Sequence, residues 1–521
     1  MTAQEGGATM HKERGAAGQH TEIKVIVNGK VRGGPAGTLL SELALGESPC
    51  GGHGRCGKCR VKARGKLSPP TEAEVRLLSP QELAEGIRLA CVTRALGDCE
   101  IETLSQGQAQ ILTAGEMPAV ALQPTFAHYG VAIDLGTTTL AAKLYDRKGD
   151  LLADTARPNP QSAYGADVVS RIEAALGGRA QVLSAAVREA LDGVIRSLAD
   201  AAGVDTKEID GAVITGNTVM LSLLVGESTE PFSRVPFAVK RRFGETLRAG
   251  ALALSALQEG VPVYLPPCIS AFVGADTVCA ILATDLCAQE SGLLADIGTN
   301  GEMALWHGGR LTVCSTAAGP AFEGVGISMG MQATDGAVHR VSLCNGGLLA
   351  NVIGGGAPKG ICGSGLVDAV ACMLDLEELD EGGYLEEDPY VIQWPVTLTQ
   401  QDIRMLQPAK SAICAGLLTL LQNGGADANG VPVLYVAGGF GNELNPQSAA
   451  RIGLLPRTLA KKARPVGNAA LAGACVLLLN GAARQRAADA AAAARVIDLA
   501  TDPVFSRLFV SGMLLAPAEG I

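Results

Sequence analysis

Four cysteines are spaced Cys50-x5-Cys56-x2-Cys59-x31-Cys91, and the first three share one loop, Cys50-Gly-Gly-His-Gly-Arg-Cys56-Gly-Lys-Cys59, too rich in glycine to hold a helix. Thiolates are soft metal ligands, and intervening glycines leave backbone N–H groups free to point at sulfur while a remote cysteine closes the cage. This is the plant-type 2Fe–2S arrangement with one extra residue in its first gap. Cys-x2-Cys also opens zinc knuckles, so a zinc site from Cys56, Cys59 and either His53 or Cys91 is the rival; a second Cys-x2-Cys pair is missing. His53 reads as solvent-facing and Cys99 as structural. Nine further cysteines (268, 279, 287, 314, 344, 362, 372, 414 and 475) stand singly in apolar or Gly-rich sequence, where cysteine behaves as a small buried hydrophobe.

A second chemistry is written twice. Gly130-Val-Ala-Ile-Asp134-Leu-Gly136-Thr137-Thr138-Thr139 is echoed 162 residues later by Gly292-Leu-Leu-Ala-Asp296-Ile-Gly298-Thr299-Asn300-Gly301. An aspartate at the end of a buried strand, followed by glycine and hydroxyl residues in a hairpin turn, offers a carboxylate to a hydrated cation. The N–H groups and hydroxyls beside it can cradle phosphate oxygens. Asp-x-Gly-Thr pairs also occur in aspartic proteases, where two carboxylates share a proton in an all-β fold, but long helical stretches here argue against that. A third element, Val433-Leu-Tyr-Val-Ala-Gly438-Gly439-Phe440-Gly441, is a buried strand ending in paired glycines, where a flat base could lie against backbone. Neither a P-loop nor a clean G-x-G-x-x-G after the first strand is present.

These loops need scaffolds, and the chain supplies them in sequence. Residues 22–28 alternate and turn through Asn28-Gly29-Lys30 into Val31-Arg32, a hairpin signal. A short helix over 38–45, a strand at Arg60-Val-Lys-Ala-Arg64, a partly helical 72–89 and a closing strand near Cys99 complete a β-grasp-like module. Residues 104–128 show no period and read as a linker. Beyond them, helical stretches (about 165–176, 180–203, 362–380, 403–423 and 466–495) alternate with strands such as Gly211–Thr215 and Val433–Ala437, so α/β layers are expected. The expected organisation is a disordered 1–20, a ferredoxin-like domain over 21–103, the linker, one α/β lobe over 129–290 and a second, with a C-terminal helical segment, over 291–521.

With 42 basic and 52 acidic side chains the net charge is −10, which excludes a general nucleic-acid binder. No apolar run approaches the ~18 residues of a membrane span, and residues 1–20 lack a signal-peptide core, so a cytoplasmic protein is expected with no membrane partner. The first module differs: residues 21–105 hold 12 basic and 10 acidic side chains, and Arg55, Lys58, Arg60, Lys62, Arg64 and Lys66 stand with no acid between Ser48 and Thr71. Alternation at 60, 62 and 64 predicts a basic strand face that could steer an acidic electron donor.

The Asp134, Asp296 and Gly438-Gly439 elements, in that order, resemble the phosphate-1, phosphate-2 and adenosine motifs of the actin, sugar-kinase and heat-shock ATPase superfamily. With the segments Asn159–Arg171, Thr215–Met220, Ala317–Gly324 and Gly360–Gly365, and an N-terminal ferredoxin, the chain is similar to the reductive activators of corrinoid-dependent methyltransferases over about residues 22–515. The resemblance implies two ribonuclease-H-like domains around a nucleotide cleft, and an ATP-hydrolysing iron–sulfur activase that reduces cob(II)alamin to cob(I)alamin on a corrinoid partner. It implies a 2Fe–2S cluster on Cys50, Cys56, Cys59 and Cys91, ATP and Mg²⁺, and a low-potential donor such as a ferredoxin or flavodoxin. Asp134 and Asp296 would orient metal-bound water; Gly136, Thr137, Thr138, Gly298, Thr299 and Asn300 would contact phosphate, with Thr139 and Gly301 beside them. Gly438, Gly439 and Phe440 would meet adenosine, Glu323 the ribose, and Gly363 and Ser364 a phosphate at a helix start. A homodimer is allowed, although the linker is too short for the extra middle domain of some members. The alternatives are a nucleotide-sensing electron carrier, an activator of the radical-dehydratase type, and a small-molecule kinase with an accessory cluster.

Overall fold

The computed structural model describes residues 22–27, 30–45, 59–78, 80–103, 113, 115–235, 237–344, 346–440 and 443–519. The expected disordered 1–20, and Cys50, His53, Arg55, Cys56 and Lys58, lie outside the described residues. The chain divides into two compact units that part near residue 104.

The first unit is a five-stranded sheet of order β2-β1-β5-β3-β4, built from β1 (Glu22–Val27), β2 (Lys30–Pro35), β3 (Arg60–Leu67), β4 (Ile87–Leu89) and β5 (Ala95–Thr103). β1 runs parallel to β5 and antiparallel to β2, the β-grasp pattern. Val25, Leu40, Val61, Leu89 and Ile101 fill its core. Two short helices, α1 (Glu72–Leu77) and α2 (Pro80–Ala84), cross between β3 and β4.

β3 alternates as expected, with Val61 and Ala63 buried and Arg60, Lys62 and Arg64 outward. The uniform basic face does not form. Register sets Lys62 opposite Glu102 and Arg64 opposite Glu100, and Arg60 pairs with Glu82 at 3.2 Å. Opposite charges across neighbouring strands make a mixed-charge surface, and the acids that balance it come from β5 and α2, distant in sequence.

Behind the end of β4 lies a buried polar cluster. Arg88 donates to both Glu74 oxygens at 2.8 and 3.0 Å, and Thr93 Oγ1 and the Leu89 amide donate to Oε1 at 2.7 and 3.0 Å. Burial alone would raise the Glu74 pKa, but the hydrogen bonds from Arg88, Thr93, Thr71 and Leu89 outweigh it and lower it from 4.5 to about 2. The folded value lies below the unfolded one, so the carboxylate stabilises the fold above about pH 4.5, by about 3 kcal/mol, and that contribution is lost as pH falls towards 2. Glu74→Gln leaves the Arg88 charge buried without a carboxylate, so this variant is expected to melt its first unit several degrees earlier at pH 7, with the difference shrinking below pH 4.5 and gone only near pH 2; hydrogen exchange of the Leu89 and Thr93 amides follows both.

The second unit carries two six-stranded sheets of the same design. In the first, β6 (Tyr129–Leu135), β7 (Thr139–Asp146) and β8 (Leu151–Pro158) form a meander, followed by β9 (Ile209–Gly216), β10 (Glu245–Arg248) and β11 (Pro262–Leu265), in the order β10-β11-β9-β6-β7-β8. The second meander is β12 (Ser291–Ile297), β13 (Gly301–His307) and β14 (Arg310–Thr316). An inserted sheet of β15 (Ala337–Cys344), β16 (Gly347–Val352) and β17 (Gly360–Ile361) and a hairpin of β18 (Tyr390–Gln393) and β19 (Val396–Leu398) follow. Finally β20 (Leu434–Ala437), β21 (Ala463–Gly467) and β22 (Arg495–Val496) complete the order β21-β20-β12-β13-β14-β22. β9 runs parallel to β6, and β20 to β12, so the echoed sequences occupy equivalent places in two ribonuclease-H-like lobes.

Helices cover the sheets. α3 (Val168–Ala174), α4 (Ala180–Ala202), α5 (Thr218–Val225) and α6 (Ala275–Ala283) belong to the first lobe; α7 (Gly363–Asp375), α8 (Gln400–Gly424), α9 (Pro446–Arg451), α10 (Arg457–Ala460), α11 (Ala469–Leu479), α12 (Ala483–Ala493) and α13 (Pro503–Ser511) to the second. Each lobe has its own apolar core, and a third joins them, where α6 packs on α11. A Cβ on Gly473 would meet the Cys279 carbonyl at 2.0 Å, so the two helices cross at that glycine. α11 is buried at every position, which explains why 466–495, expected as one helix, breaks at Asn480–Ala482 into a buried and a surface helix.

The stretch expected as a linker is hydrogen-bonded to the second lobe from residue 115. Glu116 N donates to Val466 O, Gln123 N to Leu479 O and Thr125 N to Leu478 O, at 3.1, 2.8 and 3.0 Å. Its partners are isolated bridges to the ends of β21 and α11, which impose no period on the sequence. Of the nine scattered cysteines, seven are buried; Cys287 is half-buried and Cys344 exposed. Among the described residues no helix is long and apolar enough to cross a membrane.

Candidate functional site

The two Asp loops face one another across a cavity of about 790 Å³ between the lobes. Asp134 and Asp296 are the last residues but one of β6 and β12, and a three-residue turn leads from each strand into the next. Behind the first turn every carbonyl is engaged. Gly136 O accepts from Asn159 Nδ2 at 2.8 Å, Thr137 O from Arg171 Nη2 at 2.5 Å and Thr138 O from the Asn159 amide at 2.8 Å. With its acceptors turned into the lobe, the loop is left to present donors to the cavity, which suits an anion.

Arg171 is fully buried, and its other partners, Gly165 O, Gln161 Oε1 and Met220 Sδ, are neutral. Burial lowers its pKa to about 10, against the attraction of Asp167 and Glu323, so it stays charged at neutral pH. A fixed positive charge thus stands directly behind the first loop.

The cavity floor is acidic. Asp276, at the head of α6, and Glu302, opposite Asp296 on β13, join the two expected aspartates. Burial pushes Asp134 up to about 7 and, against a hydrogen bond from Asn468, Asp276 and Asp296 add to it. Burial, then Asp276 and Glu323, push Asp296 up to about 7; burial raises Asp276 to about 6, and burial, Asp276 and Asp296 raise Glu302 well above 4.5. Crowded carboxylates with raised pKa values are what a divalent cation would relieve. Among the described residues no three histidine, cysteine or acidic side chains are grouped to hold a bare ion.

Asn468, the N-cap of α11, donates from Nδ2 to Asp134 Oδ2 at 3.0 Å while its Oδ1 accepts from Leu471 N at 2.7 Å. One side chain of the second lobe therefore orients the aspartate of the first. At the end of β20, Gly438 has φ +93°, and a Cβ there would meet Ile297 O at 2.7 Å and Asp296 Oδ1 at 2.8 Å; a Cβ on Gly439 would meet nothing within 4 Å. Gly438 is packed against the second Asp loop, whereas Gly439 opens on the cavity.

This geometry has close counterparts. A family model described as "C-terminal domain of RACo the ASKHA domain" matches residues 290–520, and one described as "RACo middle region" matches 129–289. The corrinoid activation enzyme RamQ of Eubacterium limosum is 34% identical over 417 residues, covering 73% of this chain and 69% of that protein. The chain belongs to the reductive activators of corrinoid proteins. A further relative in that family, the [Co(II) methylated amine-specific corrinoid protein] reductase of Methanosarcina barkeri, is 27% identical over 67% of this chain and 70% of its own. The solved structure of a reductive activator for corrinoid, iron-sulfur protein superposes with a TM-score of 0.70 at 27% identity, covering 95% of this chain and 98% of that one.

Within this corrinoid-activator fold the expected site residues divide. Asp134, Gly136 to Thr139, Asp296, Gly298 to Asn300, Glu323, Gly363, Ser364 and Gly438 to Phe440 all line the cavity. Gly301 does not: a Cβ there would meet Ile413 Cδ1 at 2.4 Å, so its smallness serves packing of α8 on β13. The Phe440 ring is buried and stacked on Phe322 at 4.6 Å, a prop beneath the glycine strand. Ser364 Oγ donates to His339 O at 2.9 Å, leaving the uncapped N-terminus of α7, with Gly363, to face the cavity. Glu323 lies between the two Asp loops, where Thr138 and Thr299 donate to its carboxylate. Sequence reading missed Asp276, Glu302, Asn468 and the placement of Arg171; the Gly274-Ala-Asp276 step into an apolar helix was the one local signal.

In the first unit, Cys59 and Cys91 are buried, and the Ala90 amide donates to Cys59 O at 2.9 Å, which places the chain around Cys91 beside the end of the cysteine loop. Cys99 lies on β5, where burial and then Asp98 push its thiol up.

Proposed function

We propose that the protein reductively activates a corrinoid protein, passing electrons from a low-potential donor through a 2Fe–2S cluster on Cys50, Cys56, Cys59 and Cys91 to convert Co(II) to Co(I), with Mg·ATP bound between the lobes and hydrolysed to drive the step. The observation that carries it is the convergence on one cleft of both Asp loops and the Gly438-Gly439 strand, in a chain whose relatives are named for corrinoid activation and reduction. When bound, the cluster supplies one-electron chemistry at low potential. The chain's part is to hold Cys59 and Cys91 close through the Ala90 bond, and to keep Asp134 and Asp296 aimed at one point through Asn468 and Gly438. The N–H groups of the first loop and the Thr138 and Thr299 hydroxyls would receive phosphate, Arg171 would balance its charge, and the α7 N-terminus and Gly439 would border the nucleoside. The test is cob(II)-to-cob(I) spectroscopy on corrinoid proteins with a reductant, with and without Mg·ATP: ATP-independent reduction would favour a nucleotide-sensing electron carrier.

The cluster assignment has its own check. Cys91→Ser is expected to lose the 2Fe–2S absorbance and EPR signal, and Cys99→Ser to keep them, because the Ala90–Cys59 bond sets the chain around Cys91 beside the end of the cysteine loop, whereas Cys99 sits within β5 opposite Gly65 of β3. Retention in Cys91→Ser with loss in Cys99→Ser would move the fourth ligand to residue 99.

A further inference from the structure

The turn that carries Glu323 is packed against three elements of the cleft. Pro320–Glu323 is a single 3₁₀ turn between Gly319 and Gly324, whose φ values of +79° and +73° favour glycine. Gly319 N donates to Thr299 O at 3.0 Å, the Phe322 ring stacks on Phe440, and a Cβ on Gly363 would meet the Phe322 carbonyl at 2.0 Å. The second phosphate loop, the glycine strand and the head of α7 are thus its neighbours. From there the carboxylate reaches the other lobe: Thr138 Oγ1 donates to Oε2 at 2.7 Å, Thr299 Oγ1 donates to Oε1 at 2.9 Å, and the two hydroxyls are 3.4 Å apart.

Each threonine hydroxyl has one proton to give. Both are given to Glu323, one from each lobe. A phosphate oxygen that takes those hydroxyls needs the same protons, and a second anion beside the carboxylate adds repulsion. Behind Thr137 stands one buried guanidinium, Arg171, with neutral hydrogen-bond partners, enough to balance one anion at the loop. We infer that Glu323 is a phosphate-displaced latch: its carboxylate joins the two phosphate loops across the lobes and competes with nucleotide phosphate for Thr138 and Thr299. Phosphate binding then releases the Pro320–Glu323 turn from lobe one, and the turn passes this change to the glycine strand and α7. The inference rests on the nucleotide reading above and adds how phosphate would be sensed there.

The test is calorimetry on the full-length protein with Mg²⁺ and, separately, a non-hydrolysable ATP analogue, ADP and adenosine. Glu323→Ala is expected to bind the analogue about tenfold more tightly than wild type, with adenosine affinity unchanged; Glu323→Gln, which keeps the side chain's volume and loses its charge, should move the same way by less. Unchanged or weaker analogue binding in both variants, with adenosine unaffected, overturns the latch. Equal weakening of all three ligands assigns Glu323 to the nucleoside and also overturns it. A wild-type protein that binds neither the analogue nor adenosine overturns the nucleotide reading itself and the latch with it. If Glu323→Ala does not fold, by its melting curve, Glu323→Gln alone decides.

Discussion

Asp296→Ala and Asp134→Ala are each expected to lower ATP-dependent cobalt reduction by about 10²-fold or more, while the iron–sulfur absorbance and its chemical reduction by dithionite stay at wild-type levels. The two carboxylates stand at equivalent places in two equivalent sheets, so each would supply one side of the proposed cation site. Loss of either would remove one of the acceptors proposed to hold the cation's water shell. Their surroundings predict different side effects. Asp134 holds Asn468, the cap of the helix that crosses α6, so Asp134→Ala also frees a cap side chain at the joint between the lobes. Asp296 helps to raise the pKa of Glu302 and is itself raised by Asp276, so Asp296→Ala relieves repulsion and should leave thermal stability equal or higher. Mg·ATP turnover measured beside a melting curve separates the two. Wild-type turnover in both variants would make the paired loops structural turns.

The paired loops were legible because their signal is local. A buried strand, an acid, a glycine and hydroxyls occupy consecutive positions, and the repeat of that pattern at 296 implied the repeated sheet. The glycine strand was legible for the same reason. What sequence could not place was anything decided across long separations. Asp276 reaches the floor because α6 starts where β9 ends, Glu302 faces Asp296 by register, and Asn468 arrives from the far end of the chain. The acids beside the basic strand were missed in the same way, since Glu100 and Glu102 oppose it from β5. Gly301 and Phe440 carry motif-like neighbours, but their side of the backbone is set by packing against α8 and Phe322.

The two glycines at the end of β20 should separate by opposite readouts. Gly438→Ala is expected to destabilise the second unit by about 1–3 kcal/mol and to abolish measurable nucleotide binding. Its φ of +93° is one that an L side chain rarely adopts, and the added methyl would stand 2.7 Å from Ile297 O and 2.8 Å from Asp296 Oδ1. Both neighbours belong to the second Asp loop, so the strand end or the loop must move, and the carboxylate moves with it. Gly439→Ala meets no atom within 4 Å and carries no positive φ, so its melting temperature should match wild type. Its methyl would project where the cleft is open, and if adenosine lies against this backbone, affinity for ATP and for adenosine should fall together, by about tenfold, since a close face-on approach is lost. Adenosine is the decisive ligand, because it has no phosphate to be held by the threonine loops. Unchanged adenosine affinity in a folded Gly439→Ala protein would place the base elsewhere in the cavity, towards His339 and Val352 on the inserted sheet, and leave Gly438 as a packing residue of the Asp loop.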